Sequence, residues 1–190
     1  QTTGTIARMA AARSHDSAPA AVRPDVSVLS ARGVQPFRRA EAETGVAVKP
    51  VVQRERTGCG IASVATLAGV SYAQAKRAAN RLGIGADDPR FWSETRHVCD
   101  LLAHFHIRAA RKEAPFVSWD RLPEVALLAI KWHREQETAY WHWVVFWRSP
   151  GGPVVFDSKQ ALRRHIRRDF GRMKPKWWIK IERVTVERGR

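Results

Sequence analysis

The spacing of apolar residues predicts that the first folded segment of the chain is helical. Apolar side chains recur at helical spacing over residues 59–67 and mark one face: Ile61, Val64, Ala65 and Ala68. Gly69 follows at a position typical of a helix C-cap, because glycine tolerates the left-handed conformation that often ends a helix. We therefore expect a first helix that begins at Cys59.

Two further helices are predicted from capping residues and apolar spacing. Ser71 and Gln74 have the spacing of a capping box, which predicts a second helix to about residue 81, with Gly83 ending it. Ser93 is a candidate N-cap for a third helix that reaches about residue 105. One apolar face of that helix would be buried: Val98, Leu101, Leu102 and Phe105.

After the helices, the pattern becomes strand-like. Four strands are predicted, over residues 125–132, 141–147, 154–156 and 177–181. The first is a continuous apolar run, the second is rich in aromatic residues, and a Ser-Pro-Gly-Gly turn makes the second and third a hairpin. The basic segment 159–172 is expected to form a short helix. Helices followed by an antiparallel sheet predict an α+β fold, with the N-terminal helices packed on the sheet.

The N-terminal quarter of the chain lacks such patterns. Residues 1–48 are rich in Ala, Arg, Ser, Val and Pro, with Phe37 as their single aromatic residue. We expect a disordered or loosely attached extension here, with a pairing strand near 46–50 as its one candidate element. The remaining residues, 49–190, are long enough for one hydrophobic core and are predicted to form one domain.

Composition adds a strong positive charge to this picture. The 190 residues carry a formal net charge of +15, and residues 158–190 alone contain 12 Lys or Arg against 3 Asp or Glu. Such a charge favours an acidic partner or nucleic acid, bound through this basic C-terminal segment, unless the cations form solvated faces. The 44% hydrophobic content excludes a disordered chain. No apolar run reaches the roughly 18 residues that span a bilayer, so we expect no membrane span.

The chain has two cysteines, which fits a reducing compartment such as the cytoplasm. Cys99 lies in the predicted third helix, and we expect it to be a small buried apolar residue. A zinc site built from Cys99, His104 and His106 would lack a usual ligand spacing. We therefore expect neither a metal nor a cofactor.

Cys59 is the leading candidate for chemistry. It lies in a Gly-Cys-Gly turn that opens the first predicted helix, where the positive end of the helix dipole favours the reactive thiolate. His142 and Asp157 are 15 residues apart across the predicted hairpin, so antiparallel pairing brings them into register. Cys59 would be the nucleophile, His142 the base and Asp157 the residue that orients the imidazole. Gln53, six residues before Cys59, would donate to the oxyanion together with the Cys59 backbone N–H.

These motifs resemble the papain-like cysteine peptidase superfamily. Gln53 precedes Cys59-Gly60 by the family's distance, His142 opens an apolar strand, and Asp157 closes the next. The pattern is most similar to bacteriocin-processing peptidases, which cut after double-glycine leaders, and it covers about residues 50–183. The resemblance implies a papain-like fold and a Cys-His-Asp triad. It also reaches bacterial effectors that use this triad to deamidate glutamine or transfer acyl groups.

We therefore expect a bacterial cysteine peptidase or amidase that cleaves peptide-type bonds of a peptide or protein substrate through an acyl-thioester on Cys59. One alternative is an effector or toxin-like glutamine deamidase or transglutaminase with the same triad, which would be exported. Another is a non-catalytic basic module that binds nucleic acid or the ribosome. Released ammonia distinguishes deamidation from hydrolysis, and salt-dependent polynucleotide binding indicates the non-catalytic module.

Overall fold

The computed structural model describes residues 48–87 and 94–182. Three α-helices lie within these ranges: α1 (Cys59–Ala68), α2 (Tyr72–Arg81) and α3 (Thr95–His104). Gly69 adopts a left-handed φ of 65° at the C-cap of α1, and Ser71 and Gln74 form both hydrogen bonds of the capping box of α2. The three helices therefore follow the predicted bounds closely, although the candidate cap Ser93 lies outside the described residues.

Seven antiparallel strands lie within the same ranges: β1 (Arg108–Ala109), β2 (Ala114–Pro115), β3 (Val125–Glu135), β4 (Thr138–Ser149), β5 (Gly152–Phe156), β6 (Ile166–Arg167) and β7 (Pro175–Glu182). Their spatial order is β1-β7-β3-β4-β5-β6, and β2 also pairs with β7. The predicted α+β class is confirmed, and β3, β4, β5 and β7 are the four predicted strands. The other three strands have only two residues each, too few to carry a periodic pattern.

The prediction of a short helix in the basic segment 159–172 is wrong. Ile166 and Arg167 instead form β6 and pair with Phe156 and Val155 of β5, and a single 3-10 turn follows at Phe170–Arg172. Leu162, Ile166 and Phe170 recur at helical spacing in this segment. The backbone of Ile166 and Arg167 nevertheless pairs with the edge of β5, so no α-helix forms there.

Both faces of the sheet carry a buried core over its central part. Trp143 and Trp147 of β4 point toward the helices, and all ten residues of α1 are buried against this side. Val144 and Phe146 point to the opposite face, where Phe170 and its neighbours cover them. Residues of β4 therefore alternate between two cores, as the period of a strand requires.

The edge of β4 opens near the start of the strand. β5 pairs with β4 only over Val145–Ser149 and ends at Phe156, so it leaves the earlier residues of β4 uncovered. The segment that leads into α1 approaches this place, because the Gln53 backbone N–H donates to the Ser158 carbonyl at 3.0 Å. The start of α1 is thereby brought to the uncovered edge of β4.

Residues 1–47 lie outside the described part of the chain, and the predicted extension with them. Residues 48–50, the described part of the candidate pairing strand, do not form a strand. Val48 nevertheless packs against the core on the helix side of the sheet. Among the described residues, no helix combines the length and the apolar character needed to cross a membrane.

The loop before α1 is held against α2. Glu55 accepts a hydrogen bond from the Tyr72 hydroxyl and pairs with Lys76 at 2.5 Å. The Gly58 N–H donates to the Glu55 carbonyl at 3.1 Å. A Cβ atom on Gly58 would lie 2.0 Å from the Tyr72 hydroxyl oxygen, so only glycine fits at this position.

We expect Gly58→Ala to lower the free energy of unfolding by about 1–3 kcal/mol, because Tyr72 must move away from Glu55. Gly171→Ala is the matched control, since a Cβ there would meet nothing within 4 Å. Urea-induced unfolding of both variants measures the difference. Equal losses in the two variants would contradict the proposed clash.

Candidate active site

His142 and Asp157 meet across the β4–β5 pair. The His142 Nε2 and Asp157 Oδ1 atoms are 2.7 Å apart. Asp157 directly follows β5, whose residue Phe156 pairs with Val145, and this register brings the two side chains to the same end of the hairpin. The side chains are 16% and 1% exposed, respectively, so their hydrogen bond is largely shielded from water.

The Asp157 carboxylate is surrounded by donors. Arg167 donates from Nη1 to Oδ2 at 2.7 Å, and the Lys159 backbone N–H donates to Oδ1 at 3.1 Å. Burial by itself raises the pKa of Asp157, but His142, Arg167 and the Lys159 N–H outweigh it and hold the pKa well below its usual range. Asp157 is therefore an anion at neutral pH.

Cys59 completes the group through a side-chain contact with the His142 imidazole. Burial favours the neutral form of His142, but hydrogen bonds to Asp157 and to the Cys59 side chain outweigh it and raise the His142 pKa to about 9. Cys59 is the first residue of α1 and is almost fully buried. The raised pKa favours the protonated imidazole beside the sulfur at neutral pH.

The two ring nitrogens of His142 have different partners. Nε2 bonds Asp157, which leaves Nδ1 as the ring nitrogen available to Cys59. The carboxylate fixes the ring and leaves Nδ1 to exchange a proton with the sulfur. Three residues that are far apart in the sequence are thus joined in one chain of hydrogen bonds.

Gln53 lies beside the group, but its side-chain amide is already engaged. Nε2 donates to the carbonyls of Glu55 and Arg56, both at 3.0 Å, and Oε1 accepts from the Ser158 hydroxyl at 2.9 Å. These bonds brace the loop before Cys59 against the residue after Asp157. The predicted oxyanion role of Gln53 requires these N–H groups to turn away from the loop, and it stays a prediction.

Cys99 has the structural environment expected of it. It is buried in α3, its sulfur lies 3.7 Å from the Ala110 carbonyl oxygen, and burial raises its pKa. Within residues 48–87 and 94–182, no cluster of three or more His, Cys, Asp or Glu side chains has the geometry of a metal site.

Two residues around the site escape prediction from sequence. Arg167 is one of many arginines in a basic segment, and only the pairing of β6 with β5 brings it to Asp157. Ser158 binds Gln53 across 105 positions of the chain. No local pattern distinguishes either residue from its neighbours, because each acts through a contact between distant segments.

Comparisons with known proteins identify no family. A scan against protein-family models and a search of the curated proteins both find no match. Any function must therefore be argued from the geometry of the site.

We expect Cys59 to react with iodoacetamide at pH 6 about tenfold or more faster than Cys99, because only Cys59 has a protonated imidazole beside it. His142→Ala should move the labelling of Cys59 to higher pH. Mass spectrometry of the labelled peptides gives both rates. Slow labelling of both cysteines, or an unchanged pH profile in His142→Ala, would contradict an activated thiol.

We expect Asp157→Asn to cost about 3–5 kcal/mol of unfolding free energy at pH 7, because it leaves buried cations without their anion. Because folding lowers the Asp157 pKa, the ionised carboxylate stabilises the wild type above about pH 4, and this stability is lost as the pH falls toward the pKa of the folded state. The difference in unfolding free energy between wild type and Asp157→Asn should therefore become smaller in acid. Urea unfolding at several pH values measures it, with the exposed Asp120→Asn as control. A difference in unfolding free energy between wild type and Asp157→Asn that does not change with pH would contradict the ionised carboxylate.

Proposed function

We propose that this protein is a thiol-dependent hydrolase of peptide-type bonds, a cysteine peptidase or amidase of papain-like design. The observation that supports it most strongly is the imidazole of His142, which contacts both the Asp157 carboxylate and the Cys59 side chain. This is the arrangement that activates a cysteine nucleophile.

In the proposed reaction, the Cys59 thiolate attacks the carbonyl carbon of the substrate and forms a tetrahedral oxyanion. The proton on His142 then passes to the leaving amine as the C–N bond breaks, and an acyl-thioester remains on Cys59. His142 next removes a proton from water, which attacks the thioester carbonyl. The acid product leaves, and the sulfur and imidazole return to their starting states.

The start of α1 favours stabilisation of the oxyanion. Gly58, the N-cap of α1, makes no side-chain cap bond, and Cys59 is the first residue of the helix, so the thiol belongs to the same first turn as the N-terminal N–H groups. Together with the helix dipole, these groups attract developing negative charge. Gln53 then has a supporting role through the loop that it braces.

The cost of the site also argues for chemistry. An aspartate with 1% exposure and an imidazole with a pKa of about 9 are expensive to bury, and apolar residues would stabilise a core at least as well. Groups with such shifted pKa values cluster at functional sites. A non-catalytic basic module would have no need for a thiol at this imidazole.

We expect the wild-type protein to cut peptides in a proteome-derived peptide library, and Cys59→Ala to cut none, because the acyl-thioester needs the sulfur. Mass spectrometry of new peptide termini measures cleavage, and rapid acid quenching tests for an acyl adduct on Cys59. Cys99→Ala is the matched control and should cleave like wild type, since Cys99 lies in a structural environment.

Other outcomes favour the alternatives. Glutamine converted to glutamate, with ammonia released and no new termini, would favour the deamidase. Salt-dependent polynucleotide binding that Cys59→Ala leaves unchanged, with no peptide chemistry, would favour the non-catalytic module and overturn the hydrolase.

A further inference from the structure

We propose that Arg167 is a positioning residue of this site: it holds the Asp157 carboxylate in the one orientation that serves His142, and its charge sets how strongly that carboxylate retains the imidazole proton. The inference rests on the proposed function for its catalytic meaning, but its physical content concerns three side chains and can be tested without a substrate.

The geometry shows both oxygens of Asp157 in use. Oδ1 accepts from His142 at 2.7 Å and from the Lys159 N–H at 3.1 Å, while Oδ2 accepts from Arg167 at 2.7 Å. A rotation of the carboxylate would break charge-assisted bonds on both sides. Arg167 therefore helps to fix the plane of the carboxylate against the imidazole.

Arg167 is itself held in place. Its Nε and Nη2 atoms donate to the two oxygens of Asp169 at 2.9 and 2.7 Å, which is the bidentate geometry of a guanidinium with a carboxylate. Its side chain is only 11% exposed. A lysine could supply the charge at this position but not the planar fork that bridges Asp157 and Asp169.

The charges form an alternating row from the sulfur outward. Cys59 from α1 and Asp157 after β5 face His142, Arg167 of β6 faces Asp157, and Asp169 closes the row. On the same side, the His165 Nδ1 atom lies 2.9 Å from the Asp157 carbonyl oxygen, and Ile130 of β3 pairs with His142 without adding a charge. Arg167 is the cation in this row that opposes the attraction of Asp157 for the imidazole proton.

The direction in which each substitution should move the His142 pKa follows from this order of charges. Removing the Arg167 cation leaves Asp157 uncompensated, so His142 should hold its proton more tightly. Removing the Asp169 anion leaves more of the guanidinium charge acting on Asp157, so His142 should release its proton more easily. If Arg167 had only a structural role, its replacement would lower stability, but the Arg167 and Asp169 substitutions would not move the His142 pKa in opposite directions.

The test follows the His142 imidazole by NMR titration in the Cys59→Ala background, where no turnover is needed. We expect Arg167→Gln to raise the His142 pKa by about one unit, and Asp169→Asn to lower it by a few tenths, because Asp169 is farther out and partly solvated. Arg167→Lys should leave the pKa near its parent value but lower kcat in the thiol-containing protein, because the charge is kept and the fork is lost.

Arg168→Gln is the matched control. Arg168 is the next residue, it is exposed, and it donates to the Gly151 carbonyl rather than to a carboxylate. Its replacement should leave the His142 pKa unchanged. If Arg167→Gln does not fold, the opposite-sign shift of Asp169→Asn and the behaviour of Arg167→Lys decide the matter.

A His142 pKa that stays at its parent value in both the Arg167→Gln and the Asp169→Asn variants would overturn the inference. Shifts of the expected sign in a protein that cleaves no peptide would support the positioning role while the hydrolase proposal fails. If the wild type cleaves peptides but the His142 pKa does not move in these variants, the hydrolase proposal is supported and the positioning role fails. The two proposals can therefore fail separately.

Discussion

The buried carboxylate of Asp157 constrains more of this structure than any other group. An anion with 1% exposure must be surrounded by donors, and these come from separate segments: His142 on β4, Arg167 on β6 and the backbone of Lys159. The backbone of Asp157 is also used, since its N–H donates to the carbonyl of His165 at 2.8 Å. The edge of the sheet is arranged so that each donor arrives at this carboxylate.

The position of the thiol follows from where the strands end. β5 stops at Phe156, so the early part of β4 keeps an uncovered edge, and the segment before α1 lies along Ser158 at that edge. Gln53 braces this segment through its backbone and its side chain, and Gly58 allows the turn to pass close to Tyr72. Helix α1 packs on one face of the sheet, and its first residue, Cys59, is thereby brought to the His142 imidazole at the edge of the sheet.

Local patterns were sufficient for most of the fold. Capping residues and apolar spacing located three helices, and apolar or aromatic runs located the four long strands, because these signals arise within a few residues of each element. The same approach failed for 159–172, where a basic stretch suggested a helix. The edge of β5 recruits Ile166–Arg167 as a strand, and a pairing between distant segments leaves no periodic trace in the sequence.

The amino-acid sequence by itself determined the α+β class, the helix that presents Cys59 and the hairpin that brings His142 to Asp157, because spacing along one chain controls each of these. Only the tertiary structure decided that Arg167 would hold the second carboxylate oxygen and that the Gln53 amide would bind its own loop. The Arg167 contact forms across the edge of the sheet, and the Gln53 contact depends on how the loop before α1 folds back on itself. In both cases hydrogen bonds satisfy a buried charge or a buried amide. Many arginines in the basic segment carry the same charge, and the strand register selected one of them.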